Sequence, residues 1–255
     1  MLNFQLNGKK GLIVGIANEQ SIAYGCAKVC YQCGADLAIT YLNEKAEKYV
    51  RPLAESLQSK IIMPLNVEDN QQLDQVFQKI EQEWGQLDFL IHAIAFAPKD
   101  DLYGEVYNCS QKGFLQAFDV SCHSFIRMTK KAVPLMKKGG SIMTMSFYGA
   151  EKVVQNYNIM GPAKAALEGI TRSLAAELAP KNIRVNAISP GLIKTRAASG
   201  IQAFESLYEN YQKKTPGKTV EIEDIGKISA FLASDWSKIM VGNIVYADSG
   251  YHIIG

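Results

Sequence analysis

The chain has 255 residues, of which 47% are hydrophobic and 20% charged, and a formal net charge of +2. That length suits one large α/β domain, and the small charge argues against nucleic acid or an anionic membrane surface as a partner. No apolar run approaches the roughly 20 residues needed to span a bilayer, and Met1 to Lys10 carries no charged-then-apolar signal pattern, so a cytoplasmic protein is expected.

In chain order, Leu12 to Val14 reads as a buried parallel strand ending at Gly15. A loop to Gln20 follows, and a helix opens at Ser21 and is stopped by Gly34. The second strand is Ala35 to Tyr41, followed by a helix from Glu44 to Leu57; the third is Ile61 to Val67, followed by a helix from Asn70 to Trp84. The fourth strand is Asp88 to Ala95, and an irregular stretch runs from Phe96 to Asn108. One or two helices cover Ser110 to Met136, and Ser141 to Ser146 is the fifth strand. A long helical pattern from near Asn156 reaches Ala179, stopped by Pro180. Ile183 to Ser189 is the sixth strand. Helical pieces follow at Ala203 to Lys213 and Glu223 to Ala233, and Asn243 to Asp248 closes the pattern as the seventh strand.

Strand and helix alternate throughout, which predicts a single doubly wound, Rossmann-type α/β domain over residues 1–255. Its sheet is mostly parallel and seven-stranded, with helices on both faces. Ligands bind such sheets at the carboxyl ends of the strands, where the winding reverses. Five cysteines fit no disulfide framework. Cys26, Cys30 and Cys33 fall at i, i+4 and i+7 of the first helix, an apolar stripe rather than a metal site. No metal centre is expected.

Three local features carry chemistry. Gly15 permits a tight turn, Ser21 can cap the helix, and the free N–H groups beyond it suit a pyrophosphate. At the end of the second strand, Thr40 to Asn43 offers neither an acidic residue for a ribose 2′-hydroxyl nor an arginine for a 2′-phosphate. The lack of an immediate cation leans toward NADH, with NADPH not excluded. Tyr157 and Lys164 are seven residues apart, so on one helix they share a face roughly 10 Å apart along the axis. Pro162 fits only a first helical turn, and a helix opening at Gly161 instead leaves Tyr157 in the loop.

The chain resembles the short-chain dehydrogenases/reductases and, more narrowly, the bacterial enoyl-acyl-carrier-protein reductases. The resemblance runs from Gly11 to about Gly250. It rests on Gly15-Ile16-Ala17-Asn18 with Ser21 to Gly25, His92 to Ala97, Tyr157 to Lys164, and Arg184 to Ser189 with Pro190-Gly191. The tyrosine-x6-lysine spacing is the specific part. Ordinary members use tyrosine-x3-lysine, and here that earlier position is Met160, which has no proton to give.

The resemblance implies reduction of the trans-2 double bond of enoyl thioesters in fatty-acid elongation, with an acyl carrier protein as partner and a homotetramer as assembly. Tyr157 and Lys164 are then the catalytic pair, with Tyr157 on the developing enolate oxygen and Lys164 on the nicotinamide ribose. Gly15, Ser21 and Ile22 line the pyrophosphate and ribose, Leu42 the adenosine ribose, Asn66 and Val67 the adenine. Ile94, Ile193 and Thr195 lie by the nicotinamide, Ala97 contacts the substrate, and residues 192–214 form a mobile lid.

Four positions depart from the family pattern. Phe147 stands where many members have a second tyrosine, with Tyr148 beside it. Asn66 replaces an aspartate; its amide oxygen can still accept from the adenine amine. The lid carries Gln202, Glu205 and Ser206 where relatives have basic residues, which shifts carrier docking to Lys213, Lys214 and Lys218. The last strand ends in Asp248-Ser249-Gly250 rather than a glycine pair. Two alternatives stand beside the leading reading: a reductase of enoyl-CoA or another enone, and a nucleotide-binding paralogue without catalysis.

Overall fold

Apolar residues run without alternation through each strand because both sheet faces are covered. In β1 (Lys10–Val14), Leu12 and Val14 enter one core and Ile13 the other. The computed structural model describes residues 5–254, so the expectations for the first residues of Met1 to Lys10 and for the last residue lie outside it. Among the described residues there are seven strands, all parallel, in the order β3-β2-β1-β4-β5-β6-β7.

After β1 come α1 (Ile22–Gln32), β2 (Asp36–Tyr41), α2 (Glu44–Ser56), β3 (Ile61–Pro64), α3 (Asn70–Trp84) and β4 (Phe89–His92). A single helical turn, α4 (Lys99–Leu102), interrupts the next loop. Then α5 (Gln111–Phe118) passes through a five-residue π-helical turn into α6 (Ser124–Ala132). The chain closes with β5 (Gly140–Met145), α7 (Met160–Leu178), β6 (Ile183–Pro190), α8 (Phe204–Lys214), α9 (Ile222–Ala233) and β7 (Ile244–Ala247).

Local chemistry sets several boundaries. Asn43 caps α2 by accepting from the Ala46 N–H at 3.1 Å, and Asp69 caps α3 by accepting from Gln71 at 2.8 Å. The seven expected strands are present, but β3 and β4 end well before the expected limits. β3 stops at Pro64, which has no N–H, and the turn closed by Asp69 N–H on the Asn66 carbonyl takes over. β4 stops at His92 because the chain leaves the sheet toward the cleft.

One core packs α3, α6 and α7 on one face, with Leu90, Ile142 and Val185. The other packs α1, α2 and α9, with Phe89, Met143 and Ile188. The α1–α9 crossing is so close that a Cβ on Gly25 would lie 2.3 Å from the Ile222 carbonyl oxygen, and one on Gly226 2.4 Å from the Gly25 oxygen. Gly25 therefore serves helix packing. Cys26 and Cys30 are buried in this layer, as a packed stripe should be. No helix among the described residues is long and apolar enough to cross a membrane.

Candidate active site

The winding reverses between β1 and β4, and the loop after β1 marks the cleft there. Gly15 has φ +113°, and a Cβ on it would sit 2.1 Å from the Ala93 carbonyl oxygen, so only glycine fits beside the outgoing end of β4. Ser21 stands at the N-cap of α1, but its side chain does not cap the helix. The Oγ turns back and accepts from Ala17 N–H at 3.0 Å and Asn18 N–H at 3.1 Å. That corrects the capping expectation. Ser21 braces the loop, and the first N–H groups of α1 keep no side-chain partner at the positive end of the helix. A concave loop, a glycine and an uncapped helix start together fit a pyrophosphate.

Tyr157 is not on the helix that carries Lys164. α7 opens only at Met160, with Pro162 in its first turn, and the preceding loop bends through Asn156 (φ 62°) and Asn158 (φ 39°). Tyr157 and Lys164 therefore do not share a helix face, contrary to the expectation from their spacing. The residues still meet, because the loop folds back and both line one cavity of about 650 Å³. The Tyr157 ring packs edge-on against Phe147, with centroids 4.9 Å apart. Its backside is pressed onto Gly149, where a Cβ would be 2.6 Å from the ring. No partner within the described residues takes the Tyr157 hydroxyl, and burial pushes its pKa up, so it carries its proton at neutral pH.

Lys164 is 4% exposed and donates to the Met145 carbonyl oxygen at 2.7 Å. Burial pulls its pKa down to about 8, against opposing pulls from Cys122 and Glu168. The ammonium has three donors, so two remain for a ligand in the cavity it lines. Beneath it, His92 is fully buried between Thr144 Oγ1 (3.0 Å) and Ser124 Oγ (2.8 Å), and burial lowers its pKa to about 3. His92 is thus a neutral packing residue.

Phe147 and Met160 wall the cavity, and neither can donate a proton. Tyr148 faces elsewhere: it does not line the cavity, and its ring packs against Tyr251 at 5.2 Å. Gly15, Ser21, Ile22, Ile94, Ala97, Ile193 and Thr195 all line the same cavity as Tyr157 and Lys164. Leu42, Asn66 and Val67 lie outside it, at or past the carboxyl ends of β2 and β3. Leu42 is 56% exposed. Asn66 Oδ1 already accepts from Glu68 N–H at 3.1 Å. The Val67 carbonyl is held at 2.7 Å by Arg127 of α6.

Sequence reasoning missed several contributors. Arg127 braces the loop after β3 from sixty residues away while bound to Asp119 at 2.6 Å. No local pattern sets it apart, because Lys130 and Lys131 follow it on the same helix. Tyr103 also lines the cavity and donates to the Gly200 carbonyl at 3.1 Å. Asn156 Nδ2 donates to the Gln202 carbonyl at 2.8 Å, so two bonds tie segment 200–202 over the mouth. After β7, Ser249 (φ 55°) takes a left-handed turn, and the buried Asp248 accepts from Gly250 and His252 N–H groups. Among the described residues no cluster of three or more His, Cys, Asp or Glu is placed to hold a metal ion.

A 3-2-1-4-5-6-7 parallel sheet, a phosphate-type loop and a tyrosine and lysine converging at the carboxyl edge define a short-chain dehydrogenase/reductase. The profile described as Enoyl-(Acyl carrier protein) reductase matches residues 15–252. The enoyl-[acyl-carrier-protein] reductase [NADH] of Aquifex aeolicus is 46% identical over 252 residues, 98% of this chain and 93% of that protein. The crystal structure of the Anaplasma phagocytophilum enoyl-(acyl-carrier-protein) reductase in complex with NAD superposes with TM-score 0.94 at 44% identity, covering 98% and 96% of the two chains. The Bacillus cereus enoyl-acyl carrier protein reductase with NADP+ and indole naphthyridinone gives 0.95 at 40% identity, covering 98% of each. The chain belongs to the enoyl-acyl-carrier-protein reductase family.

Proposed function

We propose that the protein reduces the trans-2 double bond of an enoyl thioester carried on acyl carrier protein, using NADH, as a step of fatty-acid elongation. One observation carries this reading: Tyr157 and Lys164 reach a common apolar cavity although they sit on different elements, while the position one turn before Lys164 is Met160. A hydroxyl displaced from that turn suits an oxygen displaced from the carbon that is reduced. In an enoyl thioester the β-carbon is reduced and negative charge gathers on the carbonyl oxygen. In a ketone the carbon and oxygen are adjacent.

The nicotinamide cofactor supplies the reducing equivalent when bound. Gly15, Ser21 and Ile22 would hold its pyrophosphate, and the two unspent donors of Lys164 its ribose hydroxyls. Ile94, Ile193 and Thr195 would flank the nicotinamide. Leu42, Asn66 and Val67 would flank the adenosine end. Tyr157 donates its hydroxyl proton as a hydrogen bond to the thioester carbonyl oxygen and stabilises the enolate. Lys164 fixes the cofactor and supplies positive charge near that phenol. Ala97 and Phe147 give the acyl chain an apolar wall and exclude water.

NADH is preferred because the end of β2 brings no cation to a 2′-phosphate. Leu42 is apolar, Asn43 is uncharged, and Arg51 is tied to Glu47. Residues 192–214 form the lid; Tyr103 and Asn156 hold its 200–202 stretch, and Tyr211 bonds its far end to the Asp248 carbonyl at 3.2 Å. The exposed Lys213, Lys214 and Lys218 suit an acidic carrier protein. A homotetramer through the helices after β4 and β5 is supported by Phe114 and Leu115, apolar and exposed on α5. Elongation on a carrier protein implies a cytoplasmic enzyme.

The test is loss of reduced-nicotinamide absorbance with crotonyl-CoA and with a crotonyl carrier protein, NADH and NADPH run side by side. NADH consumption with a saturated acyl product is expected, faster on the carrier protein. No consumption with either cofactor would point to a protein that binds nucleotide without catalysis.

A further inference from the structure

Glu168 is a buried carboxylate with no part in the mechanism above. It lies one turn after Lys164 on the same face of α7 and is 5% exposed. Its Oε1 accepts from Ser146 Oγ at 2.5 Å. Ser146 is the residue after β5, is itself buried, and is held to β6 by its N–H on the Ile188 carbonyl at 2.7 Å. Its neighbour Met145 gives Lys164 the carbonyl oxygen it binds. Thus α7 grips the end of β5 twice, with a cation on one residue and an anion on the next.

Building on the reading of Lys164 as the ribose-binding cation, we infer that Glu168 is a positioning residue. Through Ser146 it fixes the strand end on which Lys164 hangs, and its carboxylate keeps the Lys164 ammonium charged at the cofactor end of the cleft.

The neighbours on the other elements leave that role to Glu168. From β4, His92 is held neutral. From the α5–α6 turn, burial pushes the Cys122 thiol up to about 11, so it brings no negative charge at neutral pH. From the loop before α7, Tyr157 is protonated. Glu168 itself is raised, first by burial and further by Glu151, while Ser146, Arg172 and Lys164 favour its ionised form. It also lies near Tyr246 of β7, whose pKa it helps to raise.

The experiment is NADH titration by fluorescence at pH 6 and pH 8.5 for the wild type, Glu168→Gln, Glu168→Asp and Ser146→Ala. Losing one neighbouring anion moves a lysine by about one pH unit. Glu168→Gln should therefore bind NADH within about twofold of wild type at pH 6 and roughly five- to tenfold more weakly at pH 8.5. Glu168→Asp keeps the charge and should recover most of that alkaline loss. Ser146→Ala keeps the charge and loses the clamp, so it should weaken NADH about two- to fivefold by the same factor at both pH values. If Glu168→Gln fails to fold, Ser146→Ala still decides, since wild-type affinity in it overturns the clamp. An equal loss at both pH values in Glu168→Gln, or none at either, overturns the charge role. A wild type that does not bind NADH contradicts the reading of the site itself; binding with a flat Glu168→Gln response contradicts this inference alone.

Discussion

The Lys164 Nζ donates to the Met145 carbonyl oxygen at 2.7 Å, so the cation at the cleft is fixed to the end of β5 and not to its own helix alone. The side chain reaches back from α7 across the layer boundary, and its charge is presented where the strand gives out. Replacing Lys164 with Met should weaken NADH binding at least tenfold, because both free donors and the charge go together. Isothermal titration of NADH checks this, with circular dichroism confirming an unchanged fold.

The same lysine sets a pH signature with two opposite signs. Burial holds its folded pKa at about 8, below the ordinary lysine value of 10.5. NADH affinity should therefore fall as pH rises through about 8. Stability of the ligand-free protein should move the other way. Above pH 8 the unfolded chain holds the lysine proton that the folded chain has lost, so this group's contribution rises with pH. The rise begins at about pH 8, and unfolded thiols, which titrate at about 8.5, oppose it by the same amount in both proteins compared across pH 8 to about 9. Urea melts of wild type against Lys164→Met across that window isolate it.

Tyr157→Phe removes the one hydroxyl the mechanism uses and leaves the ring packed on Phe147 and Gly149. Turnover should fall about a hundredfold or more with NADH affinity within twofold. Steady-state kinetics with crotonyl-CoA and a separate NADH titration split the two.

Tyr148→Phe should leave turnover within about twofold, because Tyr148 packs on Tyr251 away from the cavity. A large loss would show that Tyr148 replaces the tyrosine that Phe147 lacks. The comparison needs only kcat for the two proteins under one set of conditions.

Tyr103→Phe deletes the bond to the carbonyl of Gly200, which lines the cavity. One such bond is worth about 1 kcal/mol. The KM for the acyl substrate should rise up to about fivefold, with NADH affinity unchanged.

The fold was legible because doubly buried parallel strands write themselves as short apolar runs, and all seven were found. The ends were not. Where β3 stops depended on Pro64 and a turn at Asn66, which look like more strand in an apolar reading. The site was legible at Gly15, Tyr157 and Lys164 through spacing, but the geometry inferred from that spacing was mistaken. Two asparagines with positive φ and Pro162 delay α7 until Met160, and only the folding back of the loop reunites the pair. Arg127, Tyr103 and Glu168 were invisible for a common reason. Each acts through a partner distant in sequence or on another element, and no local pattern reports such a partner.

A crystal structure of the complex with NAD+ and a non-reducible enoyl thioester analogue tests the central claim most directly. The account predicts the Tyr157 hydroxyl within about 3.2 Å of the thioester carbonyl oxygen and Lys164 Nζ within the same reach of the nicotinamide ribose hydroxyls. A Tyr157 hydroxyl turned away from that oxygen, or a ribose beyond the reach of Lys164, would contradict it.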